Sequence, residues 1–162
     1  MGRIYHVPFS ATAVTLAVDV FELLAASTKS IALCEVVLSQ SSDYGDAAAE
    51  GLSVLIKRAA GTYTSGSGGS TVTPAKSIAT DVAAGPTAEV LNTTQATANT
   101  GTLTTLRAEA FNVQMGYAYR PLVSFPGIDT RLVFAPGEAC VVSISAPADS
   151  ITLSGTLVFE EF

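Results

Sequence analysis

Along "SITLSGTLVFEEF" apolar and polar side chains alternate: Ile151, Leu153, Leu157 and Phe159 fall on one side, Thr152, Ser154, Thr156 and Glu160 on the other. A period of two is the repeat of a β-strand, so this stretch predicts a strand with one face in a core. Short β-branched and aromatic runs recur along the chain between clusters of Gly, Pro, Asn, Asp and Ser, and they predict strands at 3–9, 14–24, 30–39, 51–59, 103–113, 116–123, 131–135, 139–145 and 150–160. One helical turn is expected over 43–50, with Asp43 as its cap and Gly51 as its stop. Strands of this length, separated by turn signals such as "FPGID", "APGE" and "APADS", predict an all-β fold: an antiparallel β-sandwich with jelly-roll wiring, and a barrel as the alternative.

The pattern changes between residues 62 and 102, where Thr, Ala, Ser and Gly dominate, Lys76, Asp81 and Glu89 are the only charges, and Tyr63 is the only aromatic. The segment opens with "TYTSGSGGSTVTPAK", whose glycines suggest a phosphate loop. A phosphate loop needs a Lys followed by Ser or Thr at the head of a helix, and here Gly69 leads into Ser70, Thr71, Val72, Thr73 and Pro74. A linker would leave two flanking pieces too small to build good cores separately. The stretch is therefore expected to be an excursion from one domain, an extended arm that orders against a neighbouring subunit, with "PTAEVL" (86–91) adding a strand there.

Composition points the same way. The 162 residues suit a single domain, and only 14% are charged against about 25% in ordinary soluble proteins. A surface so short of charge is expected to meet copies of itself, as a trimer first and a dimer second. Tyr63, Val72, Pro74, Tyr117 and Tyr119 are the candidate interface residues. The net charge is −6 and the Lys and Arg residues form no run, a balance that repels phosphate backbones, so no nucleic-acid partner is expected. No signal peptide and no apolar run long enough to span a bilayer is legible; the expectation is a protein made in the cytoplasm, with no membrane partner.

Candidate chemistry is sparse. His6, the only histidine, has no partner at a spacing that supports a nucleophilic triad, and one His does not supply a cupin-type metal set. Asp43, Asp46 and Glu50 lack the ligand alternation and central Gly of an EF-hand loop. Nothing singles out a catalytic pair among the acidic residues, and Cys34 and Cys140 lie in apolar surroundings that suit buried thiols. Met115, Tyr117 and Tyr119 share one side of a strand, which would serve a sugar platform, though without any Trp in the chain core packing or a subunit contact is the plainer expectation. No catalytic, cofactor or metal site is assigned, and the chain is not expected to be an enzyme.

The stretches "MGRIYHVPFSATAVT", "DVFELLAASTKSIAL", "LSQSSDYGDAAAEGLSVLIKRAAGTYTSGSGGSTVTP" and "APADSITLSGTLVFEE" resemble a group of small, mostly uncharacterised proteins encoded by tailed bacteriophages and prophage-like regions. The resemblance covers most of the chain and is weakest over 95–128. It implies a virion structural protein, similar to head decoration or cement proteins that bind the assembled capsid, with the phage major capsid protein as partner. It brings no catalytic signature.

Overall fold

In the computed structural model the final alternation is in place: Ile151, Leu153, Leu157 and Phe159 have no exposed surface, while Thr152, Ser154, Thr156 and Glu160 lie half-buried on the other face. The structure describes residues 2–42, 50–121 and 130–162; positions 43–49 of the expected helical turn and 122–123 of the strand expected over 116–123 lie outside them. Among the described residues the strands are β1 (Arg3–Val14), β2 (Val18–Leu24), β3 (Ile31–Gln40), β4 (Gly51–Ala60), β5 (Tyr63–Thr64), β6 (Ser70–Val72), β7 (Ala75–Lys76), β8 (Thr87–Asn92), β9 (Thr97–Ala98), β10 (Thr102–Asn112), β11 (Tyr117–Tyr119), β12 (Leu132–Phe134), β13 (Ala139–Ile144) and β14 (Ile151–Glu161).

Two six-stranded antiparallel sheets pack as a sandwich. One runs β11-β3-β14-β1-β7, with β12 following β11 along the same edge of β3; the other runs β10-β4-β13-β2-β8-β6. The long strands change sheet at almost every connection, β1, β3 and β14 lying in one sheet and β2, β4 and β13 in the other. This accounts for the strand expected over 14–24: β1 runs on to Val14, and β2 begins at Val18 in the opposite sheet. Pro8 does not end β1, because β7 pairs only with Tyr5 and His6 and the strand beyond them is an edge, where a missing N–H costs no ladder bond. A bulge between Phe9 and Thr12, with Ala11 in the left-handed region at φ 50°, carries β1 to its end.

The two inner faces form one core, with Tyr5 stacked on Phe159 (centroids 5.4 Å apart) and Phe9 tilted against Phe21. Gly155 keeps the inward position between Leu153 and Leu157 open, since a Cβ there would lie 2.8 Å from the Phe9 ring.

β2 departs from simple alternation. A bulge at Val20 lets Val18, Val20, Phe21 and Leu23 enter the core while Asp19 and Glu22 point to the outer face. Both carboxylates are nonetheless almost completely buried, because residues 62–98 fold back over that face.

This corrects the expectation of an arm reaching for a neighbour: the segment straps its own sandwich. β8 pairs with β2 of the same chain, β6 continues that sheet, β7 crosses to pair with β1 in the other sheet, and β5 and β9 make a two-stranded layer outside. The strand expected in "PTAEVL" does form, with its partner in the same chain. The glycines serve close packing rather than flexibility: a Cβ on Gly69 would lie 2.3 Å from the Val90 carbonyl oxygen, and Gly68 has φ 83°.

Candidate functional site

Among the described residues three acidic side chains are buried, Asp19, Glu22 and Glu161, and each accepts a backbone N–H from the strap. Asp19 Oδ2 takes the N–H of Ala96 at 2.6 Å, while Oδ1 accepts from Ser143 Oγ at 2.5 Å and Gln95 Nε2 at 3.3 Å. Glu22 accepts from Tyr63 Oη (3.1 Å), Ser65 Oγ (2.6 Å), Gly66 N (2.9 Å) and Asn92 Nδ2 (3.1 Å). Glu161 accepts from Gly85 N and Lys29 Nζ, each at 3.0 Å. Buried carboxylates persist only with such partners, and here the partners are the segment that does the burying. Burial pushes the Asp19 carboxyl above its ordinary range against the opposing pull of Ser143 and Ala96. Burial, then the charge of Glu22, pushes the Tyr63 phenol up.

The candidate interface residues are thereby placed. Tyr63 and Val72 are half-buried against their own chain, Tyr63 in a small cluster with Ala96, Ala139 and Val141, Val72 at the margin of the core, and Pro74 is half-buried between β6 and β7. Tyr117 and Tyr119 turn inward and are 7% and 4% exposed, so their faces are not open for a sugar or a subunit; Phe111 packs on Tyr117 with centroids 5.7 Å apart. Met115, expected on the same side, is 85% exposed in the turn before β11, because that strand begins only at Tyr117.

The structure brings together one pair that sequence spacing did not offer: His6 Nε2 lies 2.7 Å from Ser77 Oγ. The pair is exposed, and among the described residues no carboxylate bonds the imidazole, so the contact fastens β7 to β1 and lacks the orienting third group of a triad. Cys34 and Cys140 are free thiols, and burial raises both, Cys140 to about 12. No group of three or more His, Cys, Asp or Glu side chains suited to a metal ion occurs among the described residues.

Concave surfaces open on the two sides of the sandwich, and a further hollow of about 290 Å³ lies on the outer face over β4 and β13, lined by Ser53, Leu55, Lys57, Gln95 and Ser143. A groove of about 430 Å³ runs between the free part of β1 (Pro8, Phe9, Thr12) and the strap at Gly68, Gly69 and Leu91. The opposite mouth, about 360 Å³, lies between β10 and the end of β11, lined by Arg107, Tyr119, Arg120, Pro121 and Thr130. There the Arg107 guanidinium sits 5.4 Å from the Tyr119 ring centroid and pairs with Glu109, whose carboxyl it holds below the usual range. Arg120 pairs with Glu35. Comparison with family models, curated proteins and solved structures yields no match.

Proposed function

We propose that the protein is a structural component of a phage virion, a decoration or cement protein that self-associates and binds the outside of the assembled head, without enzymatic activity. The observation that carries this reading is the strand order: β1, β14, β3 and β11/β12 in one sheet face β2, β13, β4 and β10 in the other. We read it as jelly-roll wiring, an architecture that recurs in viral capsid domains. The resemblance of the chain to phage-encoded proteins narrows that fold-level analogy, which by itself would not give a function. The strap supports a passive mechanical role, since its polar segment is locked onto the body through three carboxylates and both sheet edges instead of being left to order on binding.

A protein that binds only the assembled lattice stabilises that form by mass action, and an oligomer touching several capsid subunits gains further from effective concentration. With 14% charged residues the contacts are mainly apolar and main-chain, so binding should persist in high salt. The test is sedimentation of purified protein with expanded capsids lacking it, beside the unassembled capsid protein. Pelleting with capsids and not with free subunits is expected; equal binding to both, or none, overturns the reading. In the latter case the second reading, a carbohydrate- or receptor-binding module on a head fibre or tail, is left to a glycan-array measurement.

A further inference from the structure

Among the described residues, the edges of the two large sheets are short strands except at two places: β1 beyond His6, where a bulge and the left-handed Ala11 interrupt the row, and β10. β6 has three residues, β7 two, and β11 and β12 three each, whereas β10 has eleven and pairs on one side only, with β4. Its other side has no ladder partner among the described residues, carries no Pro or Lys, and is largely exposed. Such a row is a template for another strand.

We propose that β10 is the self-association surface and that its occupant is β10 of a second copy, paired antiparallel about a two-fold axis through Ala108. The inference deepens the self-association part of the proposed function and rests on it. Charge complementarity selects this occupant. Arg107 and Glu109 both face the mouth between the sheets, 47% and 32% exposed as side chains. Centred on Ala108, the register sets Arg107 opposite Glu109 of the second copy and Glu109 opposite its Arg107, at the Cβ separation of about 5 Å that stabilises cross-strand ion pairs. It also sets Ala110 opposite Leu106 and Ala108 opposite itself, so no bulky side chains collide.

Neighbouring registers are worse. Centring on Arg107 or on Glu109 places like charges face to face, and a slip of half a step sets Arg107 against an alanine and Glu109 against Leu106 or Ala108. The bulge between Thr105 and Arg107 limits the regular ladder to the second half of the strand, where the two pairs lie. The assembly closes as a two-fold dimer, not the trimer expected from composition. The same charges could instead keep other strands off the edge, a role that predicts stronger association when they are altered.

Light scattering on separate and mixed variants decides. Arg107→Glu gives a copy with two acidic residues at these positions, and Glu109→Arg gives one with two basic residues. Each alone should be monomeric at concentrations where the wild type is dimeric, with association weakened about tenfold or more. Mixed in equal amounts they should form a one-to-one dimer, although neither variant regains its intrachain pair, which separates the intermolecular role from the intramolecular one. If reversal unfolds either chain by circular dichroism, Arg107→Gln and Glu109→Gln replace them, each expected to weaken association. Single variants that associate as well as the wild type, or better, or a mixture that stays monomeric, overturn the inference while leaving self-association through another surface intact. A monomeric wild type overturns both, and capsid sedimentation then decides decoration independently.

Discussion

Glu22→Ala is the perturbation that weighs the strap most directly. The carboxylate serves four donors, two of which, Gly66 N and Asn92 Nδ2, form buried bonds. Each buried donor left without a partner costs about 1–3 kcal/mol, whereas the part-buried Tyr63 and Ser65 hydroxyls can turn to water. Asn92 Nδ2 keeps its second acceptor, Glu89 Oε2 at 3.0 Å, so only Gly66 N is left without a partner and about 1–3 kcal/mol is expected. For a chain of this length that is a fall in Tm of about 2–12 °C. Urea unfolding measures the loss, and trypsin cleavage at Lys76, which sits in the exposed β7 of the strap, reports whether the strap loosens. Glu22→Gln retains one acceptor oxygen and should lose less. A loss below about 0.5 kcal/mol, the range of an ordinary surface change, would refute the claim that Glu22 holds the strap, as would a larger loss with Lys76 still protected.

Three further outcomes follow from the same geometry. Leu157→Asp should unfold the chain while Thr156→Asp is tolerated, because Leu157 is fully buried and Thr156 lies on the other face; equal stability by thermal melting would contradict the register of β14. Asp19 has a raised folded-state pKa, so its contribution is fully present below the unfolded value of about 4 and is lost as pH rises through the folded one. The stability advantage of wild type over Asp19→Asn, measured in urea, should therefore grow as pH falls from neutral toward the unfolded value of about 4, and a shrinking advantage would mean that the hydrogen bonds outweigh desolvation. Cys140 should resist a thiol reagent at mild alkaline pH until urea is added, with half-buried Cys34 reacting slowly in the native state; rapid native reaction of both would contradict the packing around β3 and β13.

What the sequence made legible was governed by alternation. β14 and β4 are long enough for a period of two to show, β3 and β13 read as β-branched apolar runs, and together they carry the sandwich. The strap was not legible as part of that body, because β5, β6, β7 and β9 have two or three residues each and no repeat can be read over so few. A signal existed in β2, where Asp19 and Glu22 interrupt the apolar run "VDVFELL": carboxylates on the outward side of a central strand stay buried only if something covers them with donors, and "SGSGG" and "NTTQA" supply those donors. For Tyr117 and Tyr119 the period placed both on one side and left core and interface open, since period alone does not say which side is inward; both are buried, while Met115 falls in the turn before the strand. β10 shows the opposite limit: its strand was legible, but whether its edge was free depended on the order of strands in the sheet.

The central claim, that residues 62–98 belong to their own sandwich, is tested most directly by amide hydrogen exchange at Gly66, Gly85 and Ala96, the three backbone donors received by Glu22, Glu161 and Asp19. Exchange should be slow at all three and independent of protein concentration, because the acceptors are in the same chain. Exchange at the rate of an open loop, or protection that appears only as concentration rises, would contradict the account and return the segment to a neighbouring subunit.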